Sequence, residues 1–389
     1  VCPDGYVYNL EVRGIHTYVA NGFVVHNCHD APDELASYLE VEVGARECER
    51  AGVEWPLPGY ELSEWVSWAE HWGDKVAHEV EWFEAAIAAN GKLSGAEWKD
   101  LARRKNLLRK LARIAAIGNA DEWIAEAGAK DENVKLSLLW PHLYAERELF
   151  RGAKKVVLVS ATVRPKTLGL LGVREADCDF REYASSFPVE RRPVVHVECV
   201  QMRHNMPPEY LEIWAQKIDA ILNGRSDRKG VVHTVSYARA RYLLEHTRHK
   251  GRMLAHQAHN RADVVERFKK LPPESGAVLV SPSVDTGYDF PYDQCRYQVI
   301  SKLPFPDMRS AVLRQRMEVD KEYRDYVTAQ SLVQMAGRGM RAADDLCETI
   351  IVDDQMKWFV WKAEKFLPKW FRDAYRSVSV VPAPMKLSP

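Results

Sequence analysis

Three adjacent residues near the front of the chain, His26-Asn27-Cys28, carry side chains that can cleave and remake a peptide bond. An asparagine amide can attack its own carbonyl carbon, breaking the following peptide bond as a succinimide closes, while a neighbouring imidazole moves protons. A thiol accepts an acyl group readily even when only partly ionised. The plain alternative is an ordinary loop, because asparagine is common in turns.

A second cluster stands near the other end, Gln334-Met335-Ala336-Gly337-Arg338-Gly339-Met340-Arg341. Spacings of four and then three residues predict Gln334, Arg338 and Arg341 on one helical face. Two guanidiniums side by side suit the charge that spreads over a transferring γ-phosphate. A solvated basic face is the bland reading, and Gly337 and Gly339 weigh against it, since glycine weakens a helix unless close packing requires it. Other polar groups follow apolar runs: Ser160-Ala161-Thr162 after 156–159, and Asp285, Thr286, Gly287 and Asp289 after 277–281. Leu303-Pro304-Phe305-Pro306 follows a third.

These groups need a scaffold, and the hydrophobic pattern supplies one. Residues 1–27 read as short strands broken by turns, with strands at 6–12, 17–20 and 23–25 and an Asn21-Gly22 turn. From about 34 to 149 the pattern is long, charged and helical, and its many tryptophans read as core packing rather than a ligand box. Thereafter strands at 155–159, 193–199, 230–234, 277–281, 297–301 and 348–352 alternate with helices at 208–222, 237–246, 261–271 and one ending near Met340. Short apolar strands between amphipathic helices predict an α/β domain with a parallel sheet covered on both faces.

The chain has 389 residues, enough for two or three units at about 100–200 residues per domain. Its 54 basic and 55 acidic side chains nearly cancel, so any basic groove must be local. Seven cysteines without a CxxC pair argue against a disulfide framework or zinc site, and no ligand set for a metal is expected in this chain. A reducing, cytoplasmic setting is expected. No apolar run of about 18 residues occurs, so no membrane association is expected.

The front segment closely resembles the C-terminal splicing blocks of inteins, through Val7-Tyr8-Asn9-Leu10-Glu11-Val12 and the run from His16-Thr17-Tyr18-Val19 to His26-Asn27. That resemblance implies a short β segment of the intein (Hint) fold in which Asn27 cyclises, His26 and His16 assist, and Cys28 begins the host protein. The rest of the intein is expected upstream, which makes an upstream fragment, intein with the host part before it, an expected partner.

The ordered set Ser-Ala-Thr, Thr-Gly-Tyr-Asp-Phe, Leu-Pro-Phe-Pro and Gln-x-x-Gly-Arg-x-x-Arg resembles superfamily 2 helicases, the XPD/DinG-like branch most. The resemblance implies RecA-like domains that bind ATP and Mg2+ between them and single-stranded or forked DNA across their outer face. Ser160 and Thr162 correspond to motif III, Thr286, Gly287 and Asp289 to motif V, and Gln334, Gly337, Arg338 and Arg341 to motif VI, with both arginines as γ-phosphate fingers. Asp345 and Asp353 match acidic positions after motif VI, while Thr286 and Gln355 depart from the usual Glu and Arg. Cys28-His29-Asp30 looks like the second half of an Asp-Glu-x-His box, with His29 the coupling residue. No Gly-x-x-x-x-Gly-Lys-Ser/Thr run occurs, so the phosphate loop is expected upstream. The family often carries an iron–sulfur cluster whose ligands lie before motif II, a point this chain leaves open.

The expected organisation is therefore 1–27 intein segment, 28–34 with 150–189 as a remnant of the first RecA-like domain, 35–149 an α-helical arch-like insertion, and 190–389 the second RecA-like domain. Strand binding of this kind uses basic side chains along phosphates and aromatics under bases, with Arg203, His204, Tyr237, Arg239 and Arg241 as candidates. Two other readings stay open: a split-intein trans-splicing module with an inactive motor-like cargo, and a motor-like domain that clamps nucleic acid without hydrolysis.

Overall fold

The computed structural model describes residues 17–20, 23–27, 30–56, 59–90, 93–128, 132–282, 288–342 and 344–387, with only the backbone described for the two front strands. The chain divides into two compact units, one holding Val12–Cys178 with Asp307–Lys321, the other Asp179–Pro306 with Glu322–Pro389.

In the first unit, strands β1 (Thr17–Ala20) and β2 (Phe23–Asn27) pair antiparallel, on either side of Asn21-Gly22. Strand β6 (Val156–Val159) lies parallel to β2, with Val24 opposite Val156 and Asn27 opposite Val159. Between them the chain is not all helix. Strands β3 (Val41–Gly44), β4 (Trp123–Ala127) and β5 (Asn133–Leu138) form a separate antiparallel sheet in the order β3-β5-β4. Their β-branched and aromatic residues pack a half-buried pleat, which a helical reading of so charged a stretch passes over.

Helices α1 (Ala31–Leu39), α2 (Ala45–Arg50), α3 (Leu62–Asn90) and α4 (Gly95–Ala115) accompany this sheet. The start of α4 is fixed by a reciprocal capping box between Ser94 and Glu97. Its Leu107, Leu111 and Ile114 repeat at helical spacing and are fully buried, in one core with Trp65, Trp68 and Val76 of α3. Each such leucine contributes about 1.5–3 kcal/mol by burial. Trp65, Trp68 and Trp123 are therefore core residues as expected, whereas Trp82 and Trp98 are more than half exposed. After α5 (His142–Ala145), β6 and α6 (Pro165–Leu170) close the segment.

The second unit is built on a seven-stranded sheet of β7 (Val194–Val197), β8 (Gly230–His233), β9 (Met253–Ala255), β10 (Val278–Ser281), β11 (Tyr297–Ile300), β12 (Glu348–Ile351) and β13 (Tyr375–Val378). The order is β13-β7-β12-β11-β8-β10-β9 and every pairing is parallel. The strands are short, nearly continuous apolar runs because both faces are covered. One face packs Trp214, Ile218 and Ile221 of α7 (Pro208–Asn223) and Leu243 of α8 (Tyr237–His246); the other packs Val265 and Phe268 of α9 (Arg261–Lys270). Helix α10 (Ala311–Val319) belongs to the first unit, where buried Arg316 donates to the carbonyl of Leu139 at 2.6 Å. Helices α11 (Tyr323–Ala336), α12 (Met356–Lys362) and α13 (Lys369–Ala374) complete the second. Because all seven strands run the same way, their carboxyl ends share one edge, where open α/β sheets gather ligands.

Candidate nucleotide-coupling site

The arginine cluster sits just past α11, not on it. The helix ends at Ala336, Gly337 is its C-cap, and Arg338 and Arg341 lie in the turn that follows. A helix reaching Met340 and a shared helical face for Gln334, Arg338 and Arg341 are therefore corrected. Gln334 stays on α11, and Arg338 and Arg341 meet by a different route. Both guanidiniums face one oxygen of Asp289, which bonds Arg341 Nη2 and stands 3.6 Å from Arg338 Nη1. Backbone carbonyls aim them: Tyr288 O accepts from Arg338 at 3.1 Å, and Gly337 O and Met340 O accept from Arg341 at 2.9 and 3.0 Å.

The two glycines differ in their reasons. A Cβ on Gly339 would run into Cys347 Sγ and Cβ, so close packing demands glycine there. Among the described residues a Cβ on Gly337 would meet only ordinary contacts, the nearest at 3.5 Å, and none of them calls for glycine there.

Two buried carboxylates anchor the opposite ends of β12, Asp345 beside the arginine turn that precedes it and Asp353 just past it. Asp345 is fully buried, accepts from the backbone N–H groups of Tyr292, Arg341 and Leu346, and pairs with Arg296 at 3.1 Å. Asp353, equally buried, accepts from the N–H groups of Met202 (3.0 Å), Leu303 (2.9 Å) and Gln355 (3.0 Å), tying together the chain after β7, β11 and β12. Burial raises the Asp353 carboxyl above its usual range, and those three N–H donors pull against it. Gln355 bridges further, donating to Met202 O at 2.6 Å.

At the carboxyl edge that bears Asp353, Arg239 of α8 donates to Arg203 O at 2.8 Å and His204 O at 3.4 Å, so three of the candidate strand-binding residues are brought together. Tyr237 is exposed at the start of α8, set edge-on to His256, and Arg241 is exposed on the same helix. Sequence reasoning missed Lys302, whose ammonium is held below the usual lysine range by burial and by the charge of Arg239. It also missed His256, which lies 2.6 Å from Ser281 Oγ at the end of β10. The tight loop between β8 and α8 puts Val235 at φ 62°, a left-handed conformation that costs a β-branched residue about 1–3 kcal/mol. Only the position of Lys302 directly after an apolar strand could have signalled any of these.

In the first unit, Ser160 and Thr162 leave the end of β6 with their hydroxyls 3.3 Å apart, and Thr162 N donates to Ser160 Oγ at 3.2 Å. The parallel pairing of β2 and β6 sets the backbone of Asn27 beside the strand end that leads into Ser160. The side chains of His16, His26, Asn27, Cys28 and His29, and all of Thr286 and Gly287, lie outside the described residues. Among the described residues no cluster of His, Cys, Asp or Glu could hold a metal ion, and no helix is long and apolar enough to cross a membrane.

No curated protein sequence is significantly similar to the chain. Similar solved structures include an apo XPD (TM-score 0.54, 10% identity, 92% of this chain and 76% of that one). Two others are Xpd4 of S. tokodaii (0.52, 13%, 91% and 75%) and an XPD helicase (0.50, 12%, 91% and 68%). At such identities the likeness is one of fold: an α/β architecture whose parallel seven-stranded sheet matches theirs. Residues 222–374, which run from the end of α7 to α13, hold strands β8 to β12 and include the arginine turn, match the family of the helicase C-terminal domain.

Proposed function

We propose that this chain supplies the second motor domain of an ATP-driven DNA helicase of the XPD/DinG-like branch, and that its first 27 residues are the C-terminal splicing segment of an intein. The observation that carries the motor reading is the pair Arg338 and Arg341 converging beyond α11 within the helicase C-terminal match. Two fixed, planar guanidiniums offer donors to the equatorial oxygens of a γ-phosphate. At the other, carboxyl edge of the sheet, Asp353 and Gln355 hold the chain at Met202 beside the segment of Arg203, His204 and Arg239, which suits phosphates of a bound strand. Ser160 and Thr162 fit the coupling role, their hydroxyls standing at a strand end.

Magnesium would neutralise the β- and γ-phosphates, and the described residues contain no ligand set for it. An upstream Asp-Glu pair joined to Cys28-His29 by splicing would provide hard carboxylate oxygens. Support for that junction comes from the backbone register, since β2 ends at Asn27 beside the strand that leads into Ser160. Asn27 is then the cyclising residue, His16 and His26 the proton carriers, and Cys28 the acyl acceptor.

The test combines the chain with its upstream fragment and measures ligation by mass spectrometry and strand-stimulated ATP hydrolysis in one preparation. Ligation should depend on Asn27, with Asn27→Ala blocking release of residues 1–27. Turnover should fall roughly a thousandfold for either Arg338→Ala or Arg341→Ala. Ligation without turnover would favour the splicing module with an inactive cargo, and unchanged turnover in both arginine variants would remove them from the site.

A further inference from the structure

We infer that Asp289 is a built-in stand-in for the phosphate, a carboxylate that occupies the anion position between Arg338 and Arg341 at rest and must be displaced when a polyphosphate arrives. The inference rests on the reading of this turn as the γ-phosphate site and adds a latch to it.

Geometry carries the argument. One oxygen of Asp289 faces both guanidiniums, the position an equatorial phosphate oxygen would take between them. The carbonyls of Tyr288, Gly337 and Met340 also aim the arginines, and as neutral acceptors they orient the guanidiniums without cancelling their charge. Arg341 also keeps its Nε buried and, among the described residues, without a hydrogen-bond partner, a donor that a larger anion can use. A small multivalent anion can answer both guanidiniums and still reach further donors, which a single carboxylate oxygen cannot.

The contrast with Asp345 shows that Asp289 is the displaceable acid. Asp345 touches the same turn but is 0% exposed and held by three backbone N–H groups and Arg296. The Asp289 side chain is 54% exposed, where an ion pair is weakened by solvent and readily exchanged. Displacement has a route onward, because Phe290, the next residue, donates its N–H to Arg338 O at 3.4 Å. The segment that bears Asp289 and the turn that bears the arginines are thus joined by backbone, and releasing the carboxylate alters the first without unseating the second.

The test uses this chain and inorganic tripolyphosphate, followed by calorimetry without magnesium, for the parent, Asp289→Asn, Arg341→Ala and the double variant. Removing the competing charge should tighten tripolyphosphate binding by about fivefold or more in Asp289→Asn, and adding Arg341→Ala should abolish the gain. Equal or weaker binding by Asp289→Asn, with a melting temperature close to the parent's, would overturn the latch and leave Asp289 as an ordinary positioning residue. Asp289→Ser serves in its place if the asparagine variant is unfolded. Turnover in the spliced enzyme is scored separately: the calorimetric gain together with full activity of Arg338→Ala and Arg341→Ala would keep the anion latch and sink the γ-phosphate reading.

Discussion

Charge is used in opposite ways in the helical hairpin of α3 and α4 and in the seven-stranded sheet. On the hairpin, ion pairs such as Lys105 with Glu84 run between exposed side chains, each about half accessible. In the sheet unit the pair Arg225 and Glu348 is buried, 0% and 3% exposed, with two parallel bonds of 2.7 Å. The hairpin derives its order from its Leu and Trp core, and exposed pairs of this kind add little to it. The sheet unit places charges inside because short parallel strands need their ends anchored, and a buried charge must be answered or the fold fails.

That contrast can be broken at several points. The largest effect is expected at Arg225, where truncation to Ala leaves Glu348 buried and unpaired and should lower the stability of the sheet unit by about 3–5 kcal/mol in denaturant unfolding. A jointly apolar replacement such as Arg225→Met with Glu348→Leu should recover most of it, and failure to recover would mean the pair does more than neutralise itself.

Next is Gly339, whose substitution by Ala drives a methyl into Cys347 Sγ and should cost about 1–3 kcal/mol by overpacking. Adding Cys347→Ala should relieve part of that cost. A double-mutant cycle with no coupling would place the strain elsewhere.

A pH effect comes third. Burial holds the His196 imidazole below its ordinary 6.5, outweighing the pull of Asp354 and Glu198, with the Lys357 charge acting in the same sense as burial. The unfolded chain then binds more protons than the folded one, so this contribution is present above about 6.5 and is lost as the pH falls toward the folded value. Thermal melts from about pH 7.5 down to 5.5 should show the decline, and His196→Gln should flatten it. The smallest effect belongs to the hairpin: Lys105→Ala should change stability by no more than about 0.5 kcal/mol, and a larger loss would show that its surface pairs matter as the buried ones do.

Much of this architecture was legible before any coordinates. The strands at 230–234, 277–281, 297–301 and 348–352 were marked by apolar runs, and the observed β8, β10, β11 and β12 fall within them. The helix at 237–246 matches its bounds, because Ser236 supplies the cap that starts it. Strands β9 and β13 escaped notice, one of three residues and the other with polar Arg376 and Ser377 on the sheet edge, where no apolar run marks them.

The sequence by itself determined which residues could do the chemistry, because asparagine beside cysteine and paired arginines have reactivities that follow from their atoms. It also determined the parallel sheet, since runs buried on both faces admit no other partners than helices. Only the tertiary structure decided that Arg338 and Arg341 meet beyond a helix end, that Asp289 lies between them, and that Asp353 joins three strand ends. Asp289 and Arg341 are separated by 52 residues, and Met202 and Asp353 by 151. Local periodicity reports neighbours within a turn or a strand pair, whereas such contacts depend on how separate loops converge at the two edges of the sheet.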